Sequence, residues 1–572
     1  MNILGLYGAF DWNANQSYDD HQNLTWVHDA GATLLINGKH VCSISEERLT
    51  RIKHDGNFPS NSIDYCLLEG NITADEINLI CIPSMCLEYF YRQLKDGIIE
   101  TKIKSLFPNA TFRIISHHLS HAASSVFSSD FNEGTFITLD GAGSVIYSYN
   151  QEESLLAETN SIGYFNKEKG IFRFFNGIPG TNNFGSYYHN AAHKIYCKKV
   201  RNNIDAFDEK YRESWDGKIM GLSAYGHLPY KKEYKEYQLS SELQYNEVPY
   251  VTFDSKSHSI LKTADEQAYI LQKNFETALL DYIGELKSKS YLDDNLCLAG
   301  GSFLNVLGNS VIRNSQLVQN MHIPSCPNDT GLHFGAALFG AFQNKETIQL
   351  PENIALLGKT YTNEEIEKEL SSHKVTFTKY KDFEELCAIT ADYISQNKII
   401  AWFQNRSEFG PRALGSRSIL MSPTRKENKD ILNSRVKHRE YWRPFAGIIL
   451  EEHLNEYFHE DYKSHYMLYS LTVREEKAHI IPAITHVDYT CRIQTVNKSL
   501  HPETTLLLQK LKEKTGIPIV LNTSFNDNGE PIVESPKHAV ESFLNLDIDY
   551  LVIGNYLVQK QKIKKSLGVS YQ

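Results

Sequence analysis

Near the N-terminus Ile3, Leu4, Leu6 and Tyr7 surround Gly5 and stop at Gly8, an apolar run that predicts a short strand ending in a turn. Two further apolar runs, residues 32–36 and 41–45, predict two more strands directly afterwards. The order recurs at residues 135–139, 144–149 and 154–164, where the first strand again runs into a turn, Asp140-Gly141-Ala142-Gly143. A three-stranded opening used twice predicts two similar α/β lobes. A third glycine turn, Ala299-Gly300-Gly301-Ser302, follows an apolar strand that starts at Leu296 and precedes a helix-like stretch. Glycine allows backbone to approach a phosphate closely, so a nucleotide is expected here.

Periodicity weakens between residues 343 and 363, and a charged helix is predicted over 364–371. The domain boundary is placed near Pro351, giving domains of residues 1–350 and 351–572. The second contains apolar strands at 399–403, 445–450, 517–521 and 550–554, alternating with helical stretches, and is expected to be α/β as well. No repeat of 20 to 50 residues and no low-complexity tract interrupts this pattern.

At 572 residues the chain exceeds one ordinary core. Its 41% hydrophobic and 22% charged content is that of a globular protein, and no apolar run is long enough for a membrane span. The first ten residues lack a basic segment and reach Asp11 too soon for a secretory signal, so a cytoplasmic location is expected. Nine scattered cysteines with no CxxC pair fit reduced thiols. A net charge of -11 argues against an extended nucleic-acid track. Residues 401–450 depart from it, with ten Lys or Arg against four Asp or Glu, and that local excess suits a polyanionic small molecule.

Candidate chemistry sits in four places. In Ser116-His117-His118-Leu119-Ser120-His121, a helix would project His117 and His121 from one face, spaced to hold one cation. An isolated pair of this kind is ordinarily a structural one, satisfied by hydrogen bonds, but Asp140 and Asp329, each at a turn, would complete a set suited to Fe(II), Mn(II) or Zn(II). His28, just before the second strand, is a candidate general base, although a lone histidine there is more often structural. Residues 45–54 mix charges densely and read equally well as a solvated helix start. In the second domain Arg412, Arg417, Arg435, Lys437, Arg439 and Arg443 lie around turns stiffened by Pro411, Gly415, Trp442 and Pro444. Asn522, Thr523 and Ser524 follow a buried strand. Together these describe a phosphate pocket with neutral hydrogen bonders.

These segments resemble the carbamoyltransferase family of the nodulation (NodU), cephamycin and tobramycin enzymes over nearly the whole chain. The matching strings are HDAGATLL from His28, SEERLTRIKH from Ser45, HHLSHAAS from His117, LDGAGS from Leu139, GKIMGLSAYG from Gly217 and AGGSFLN from Ala299. EFGPRALGSRSIL from Glu408, RVKHREYWRPFA from Arg435 and LNTSFNDNGEPIVESP from Leu521 continue the series. The resemblance implies a duplicated N-terminal domain like the tRNA threonylcarbamoyl transferase of the actin and sugar-kinase superfamily, followed by a YrdC-like α/β domain. It implies that the YrdC-like domain makes carbamoyl adenylate from carbamoyl phosphate and ATP, with Mg2+ accompanying ATP, and that the first domain transfers the carbamoyl group. The expected acceptor is a small molecule, modified at a hydroxyl or an amine, without nucleic acid or membrane. The family's metal set falls on His117, His121, Asp140 and Asp329, with Fe2+ the expected ion, and its catalytic histidine on His28. The activation pocket falls on Arg412, Lys437, Arg443, Arg492, Asn522 and Ser524, while Lys218 and Asn305 match positions near the nucleotide in the first domain.

The chain departs from the family in residues 11–26, an insertion expected to cover the acceptor. It departs again at Cys491-Arg492-Ile493-Gln494, where the usual proline after the arginine is lost. The competing reading is a tRNA threonylcarbamoyl-adenosine factor, which the net charge opposes. A non-catalytic binding module would leave the second domain unexplained, and hydrogenase-maturation relatives are disfavoured by the lack of CxxC pairs.

Overall fold

The computed structural model describes residues 1–10, 27–85, 88–147, 155–179, 183–200, 215–226, 234–240, 248–253 and 263–560. The insertion at 11–26 lies outside them. The first sheet runs Lys39–Ser45, Gly31–Ile36, Asn2–Tyr7, Leu79–Pro83, Thr111–Ile115, with the first three strands antiparallel and the last two parallel to Asn2–Tyr7. The second sheet repeats that order with Ile171–Pro179, Leu155–Asn166, Glu133–Leu139, Asn295–Ala299 and Asn320–His322. The duplicated α/β lobe is therefore present, but its second copy is assembled differently from the sequence expectation. Val145–Tyr147 only flanks one end of the twelve-residue strand Leu155–Asn166, and Ile171–Pro179 supplies the third strand. Three residues make too short a ladder to span the lobe.

Two helices fill the space between the lobes and carry much of the site. Ser116 caps the helix His117–Ser128 by accepting the Leu119 N–H, which places His117 on its first turn and His121 one turn later. The helix Leu332–Gln343 is buried from Leu332 to Ala341 and packs against it. A β-carbon on Gly335 would lie 1.8 Å from the Ser120 carbonyl oxygen, so only glycine permits this approach.

The remaining residues build a mixed nine-stranded sheet in the order Phe377–Lys379, Tyr556–Gln559, Tyr550–Ile553, Ile400–Phe403, Arg417–Met421, Ile519–Ser524, Ala446–Leu450, Thr490–Val496, Ser470–Thr472. Its central strands are covered on both faces. Along Ile400–Phe403 the side chains alternate, with Ala401 and Phe403 in one core and Ile400 and Trp402 in the other, as the period of two requires. Trp402 is fully buried, and its indole N–H donates to the Gly415 carbonyl at 3.0 Å. Each such large apolar side chain contributes roughly 1.5–3 kcal/mol.

Residues 45–54 are not a solvated helix start. Glu46 and Arg48 are each 2% exposed. Glu46 accepts the Ser62 N–H at 2.8 Å and the Ser62 hydroxyl at 2.6 Å, anchoring the start of the helix Ser60–Gly70. Arg48 donates to the Gly410 carbonyl at 2.7 Å, and Arg51 to the carbonyls of Pro531 and Ile532 at 2.8 Å. The mixed charges are spent on docking the first lobe against the nine-stranded unit. Eight described cysteines are free and buried. Among the described residues no helix is long and apolar enough to cross a membrane.

Candidate active site

Asp140 ends the strand Glu133–Leu139, Asp329 opens the turn Asp329–Gly331, and the two histidines rise from the helix between the lobes. One candidate ligand atom from each of these four buried residues lies within 4.8 Å of the others. His117 Nε2 is 3.1 Å from Asp140 Oδ2 and 3.5 Å from Asp329 Oδ1, and His121 Nε2 is 3.4 Å from each of the same oxygens. Ligands at about 2.1 Å from a tetrahedral ion stand about 3.4 Å apart, so the spacing suits a transition-metal ion. His121 Nε2 is buried without a hydrogen-bond partner, which costs roughly 1–3 kcal/mol unless an ion takes it up.

The surroundings orient this group. His117 Nδ1 faces the Ser84 carbonyl at 3.3 Å, where only an N–H can donate, so Nε2 is the nitrogen turned inward to the carboxylates. The Gly301 N–H donates to Asp140 Oδ1, and the Tyr7 hydroxyl donates to Asp329 Oδ2, each at 3.0 Å. Burial works against charge on His117, yet Asp329 and Asp140 outweigh it and push the imidazole up to about 10. Both carboxylates are held below their usual range by the two histidines despite burial. A divalent cation would replace those protons.

His28 stands beside this centre. Its Nδ1 lies 3.0 Å from Asp29 Oδ2, and its Nε2 lies 4.0 Å from Asp329 Oδ2. Asp29 also receives His54 Nδ1 at 2.8 Å and the Asn328 amide at 3.1 Å, and it adopts a left-handed backbone (φ 61°), which aspartate tolerates better than most residues. Burial lowers the His28 value, but Asp29, Asp329 and Asp140 outweigh it and raise it to about 9.

A cluster of cations lies on the nine-stranded unit. Arg412, Arg439, Arg443 and Arg492 crowd together: burial and the neighbouring guanidiniums push Arg412 and Arg439 well below the arginine range, and Arg492 down to about 10. The Nε atoms of Arg412 and Arg492 are buried with no hydrogen-bond partner. Lys437 is committed differently. Its ammonium donates to the Ser524 carbonyl and hydroxyl at 2.6 and 3.2 Å and to the Asn526 carbonyl and side chain at 3.0 and 2.8 Å. It therefore fastens the loop after Ile519–Ser524 and adds positive charge without an open donor. Asn522 donates to the Ala413 carbonyl at 2.8 Å and leaves its own oxygen unpartnered.

Lys218 links the first lobe pair to the loop that carries the arginines, with its ammonium 3.2 Å from both Glu440 Oε1 and the Tyr196 hydroxyl. Asn305 serves locally: it caps the helix Val306–Asn314 through the Gly308 N–H and exchanges amide hydrogen bonds with Gln272 at 3.1 Å. Tyr7, Asp29, His54, Glu440 and Asn526 carry no separate signal in the sequence. Asp29, His54, Glu440 and Asn526 lie inside the family-like strings, whereas Tyr7 reads as one more apolar strand residue.

Fold and site define the class: a mixed α/β protein with a buried His/Asp centre in its lobe pair and a cluster of arginines on its nine-stranded unit. The chain belongs to the carbamoyltransferase family, matching the carbamoyltransferase N-terminus over residues 23–107 and 86–338 and the carbamoyltransferase C-terminus over 391–560. Among its relatives is the nodulation protein NolNO of Sinorhizobium fredii strain NGR234, 30% identical over 602 residues covering 98% of this chain and 83% of that protein. Nodulation protein U of Rhizobium tropici is 35% identical over 247 residues, 43% of this chain and 41% of its own. Among solved structures, full-length HypF in its phosphate- and nucleotide-bound form shares 14% identity at a TM-score of 0.33, covering 60% of this chain and 55% of that one, a likeness too slight to carry an argument.

Proposed function

We propose that this carbamoyltransferase activates carbamoyl phosphate with ATP in a YrdC-like domain, residues 351–572. It then transfers the carbamoyl group to a small-molecule hydroxyl in an actin and sugar-kinase-like domain, residues 1–350. The observation that carries this reading is the arginine cluster of the second domain. Half-buried guanidiniums that crowd one another, with the Nε atoms of Arg412 and Arg492 enclosed and unpartnered, are disfavoured unless a polyanion completes them. ATP and carbamoyl phosphate together supply such charge.

In activation, orthophosphate leaves carbamoyl phosphate, pyrophosphate leaves ATP, and water balances the exchange to give carbamoyl adenylate. Arg412, Arg443 and Arg492 hold the phosphates, Arg439 reinforces them, and Lys437 keeps the Asn522 and Ser524 loop in place. In transfer, the acceptor oxygen attacks the carbamoyl carbon and AMP departs. As the imidazolium that the surrounding carboxylates favour, His28 orients the carbamoyl group, and in its neutral form, with Nδ1 fixed on Asp29, it receives the hydroxyl proton at Nε2. His117, His121, Asp140 and Asp329 would hold a divalent ion, Fe2+ by the family resemblance and from a donor set that also suits Mn2+ or Zn2+, and it would polarise the carbamoyl oxygen. Lys218 and Asn305 lie on the nucleotide side of the first domain.

The test is pyrophosphate release from ATP. It should require carbamoyl phosphate and disappear in Arg443→Ala. Release that ignores carbamoyl phosphate, or orthophosphate as the sole product of ATP, would overturn the proposal.

A further inference from the structure

The two oxygens of Asp329 have different neighbours. Oδ1 lies 3.5 and 3.4 Å from Nε2 of His117 and His121, inside the candidate metal centre. Oδ2 accepts the Tyr7 hydroxyl at 3.0 Å and is 4.0 Å from His28 Nε2. Tyr7 is the last residue of the strand Asn2–Tyr7 and is 2% exposed, with its ring edge-on to His117 at a centroid distance of 6.4 Å. Phenylalanine would fill the same apolar space. A hydroxyl at this depth costs stability without a partner, and the carboxylate is its partner.

We infer that Tyr7 is a positioning residue that occupies Oδ2 and so confines Asp329 to one-oxygen ligation of the metal. The inference rests on the metal reading above and extends it. An aspartate free at both oxygens could bind an ion through both, closing a coordination position, or turn toward His28 and leave the ion. Held by Tyr7, it presents Oδ1 alone. Outer partners of metal ligands commonly govern affinity in this way.

The experiment loads Co2+ into the full-length protein and measures affinity by competition with a chelator, together with the visible d–d spectrum. Tyr7→Phe should bind Co2+ about 10- to 100-fold more weakly and show an altered spectrum, because the coordination of the ion changes. Tyr282→Phe is the control, since its hydroxyl is equally buried and has no hydrogen-bond partner. It should match wild type in both measurements. Wild-type affinity and spectrum in Tyr7→Phe would overturn the role of Tyr7. If wild-type protein takes up no Co2+, the metal reading fails and this inference with it. Uptake in wild type with equal loss in both variants would show a general packing effect and also overturn it.

Discussion

The ammonium of Lys218 lies 3.2 Å from Glu440 Oε1, an ion pair between the helix Trp215–Leu222 and the loop before the strand Ala446–Leu450. The same carboxylate accepts the Tyr196 hydroxyl at 2.6 Å and stands 3.6 Å from Arg443 Nη1. One acidic group thus touches a cation of the first lobe pair and a cation of the arginine cluster.

That carboxylate gives a pH prediction. Burial alone would raise Glu440, but Tyr196 and Lys218 outweigh it and hold it at about 2, below the ordinary 4.5. A carboxylate depressed in the folded state adds stability that is complete above its unfolded value and lost as pH falls toward its folded one. Glu440→Gln cannot titrate, so its unfolding free energy should depend less steeply on pH between 4.5 and 2 than that of wild type. Parallel curves from denaturant unfolding across that window would show that the ionisation is not coupled to folding.

The buried centre gives a metal prediction. Purified protein should carry about one divalent transition-metal ion per chain. His117→Ala with His121→Ala removes both nitrogen ligands and should reduce metal content and transfer together, with a loss in affinity above the roughly 10- to 100-fold seen for outer-shell changes. Metal analysis of the folded double variant checks this, and full metal content would refute the ligand assignment.

The two sites should separate by chemistry. Arg443→Ala should abolish carbamoyl adenylate formation and recover transfer when chemically prepared carbamoyl adenylate is supplied. His28→Asn should still make the adenylate and stall before transfer, losing about 100- to 10,000-fold in rate. Rescue of His28→Asn by the intermediate would reverse the assignment.

Helix packing offers a test remote from the ligands. The β-carbon of Gly335→Ala would meet the Ser120 carbonyl at 1.8 Å, a backbone atom that moves only with its helix. The helix His117–Ser128 should shift away from Asp329, lowering metal affinity and destabilising the protein by about 1–3 kcal/mol. Gly284→Ala meets nothing within 4 Å in the helix Ala264–Ser288 and should instead stabilise it by roughly 0.5–1 kcal/mol. Thermal unfolding and metal titration of both variants distinguish these outcomes.

Local pattern was enough to reveal the strands around Leu4, Ile137 and Ile400, the helix that carries His117 and His121, and the excess of cations near Arg443. Each depends on short-range sterics, alternation or composition, which neighbouring residues express directly. The lobe duplication was legible because two stretches reuse one strand order, but Val145–Tyr147 was misplaced in it because pairing length is decided by the partner strand. Residues 45–54 looked solvated because charge along a sequence does not disclose the carbonyls of Gly410, Pro531 and Ile532 that receive it. The same limit hid Tyr7 and Glu440. Tyr7 meets Asp329 across 322 positions, and Glu440 meets Tyr196 across 244. Local sequence determined which residues could form strands, helices and cationic turns. Only tertiary packing decided which hydroxyl, carboxylate or guanidinium would be desolvated against which partner.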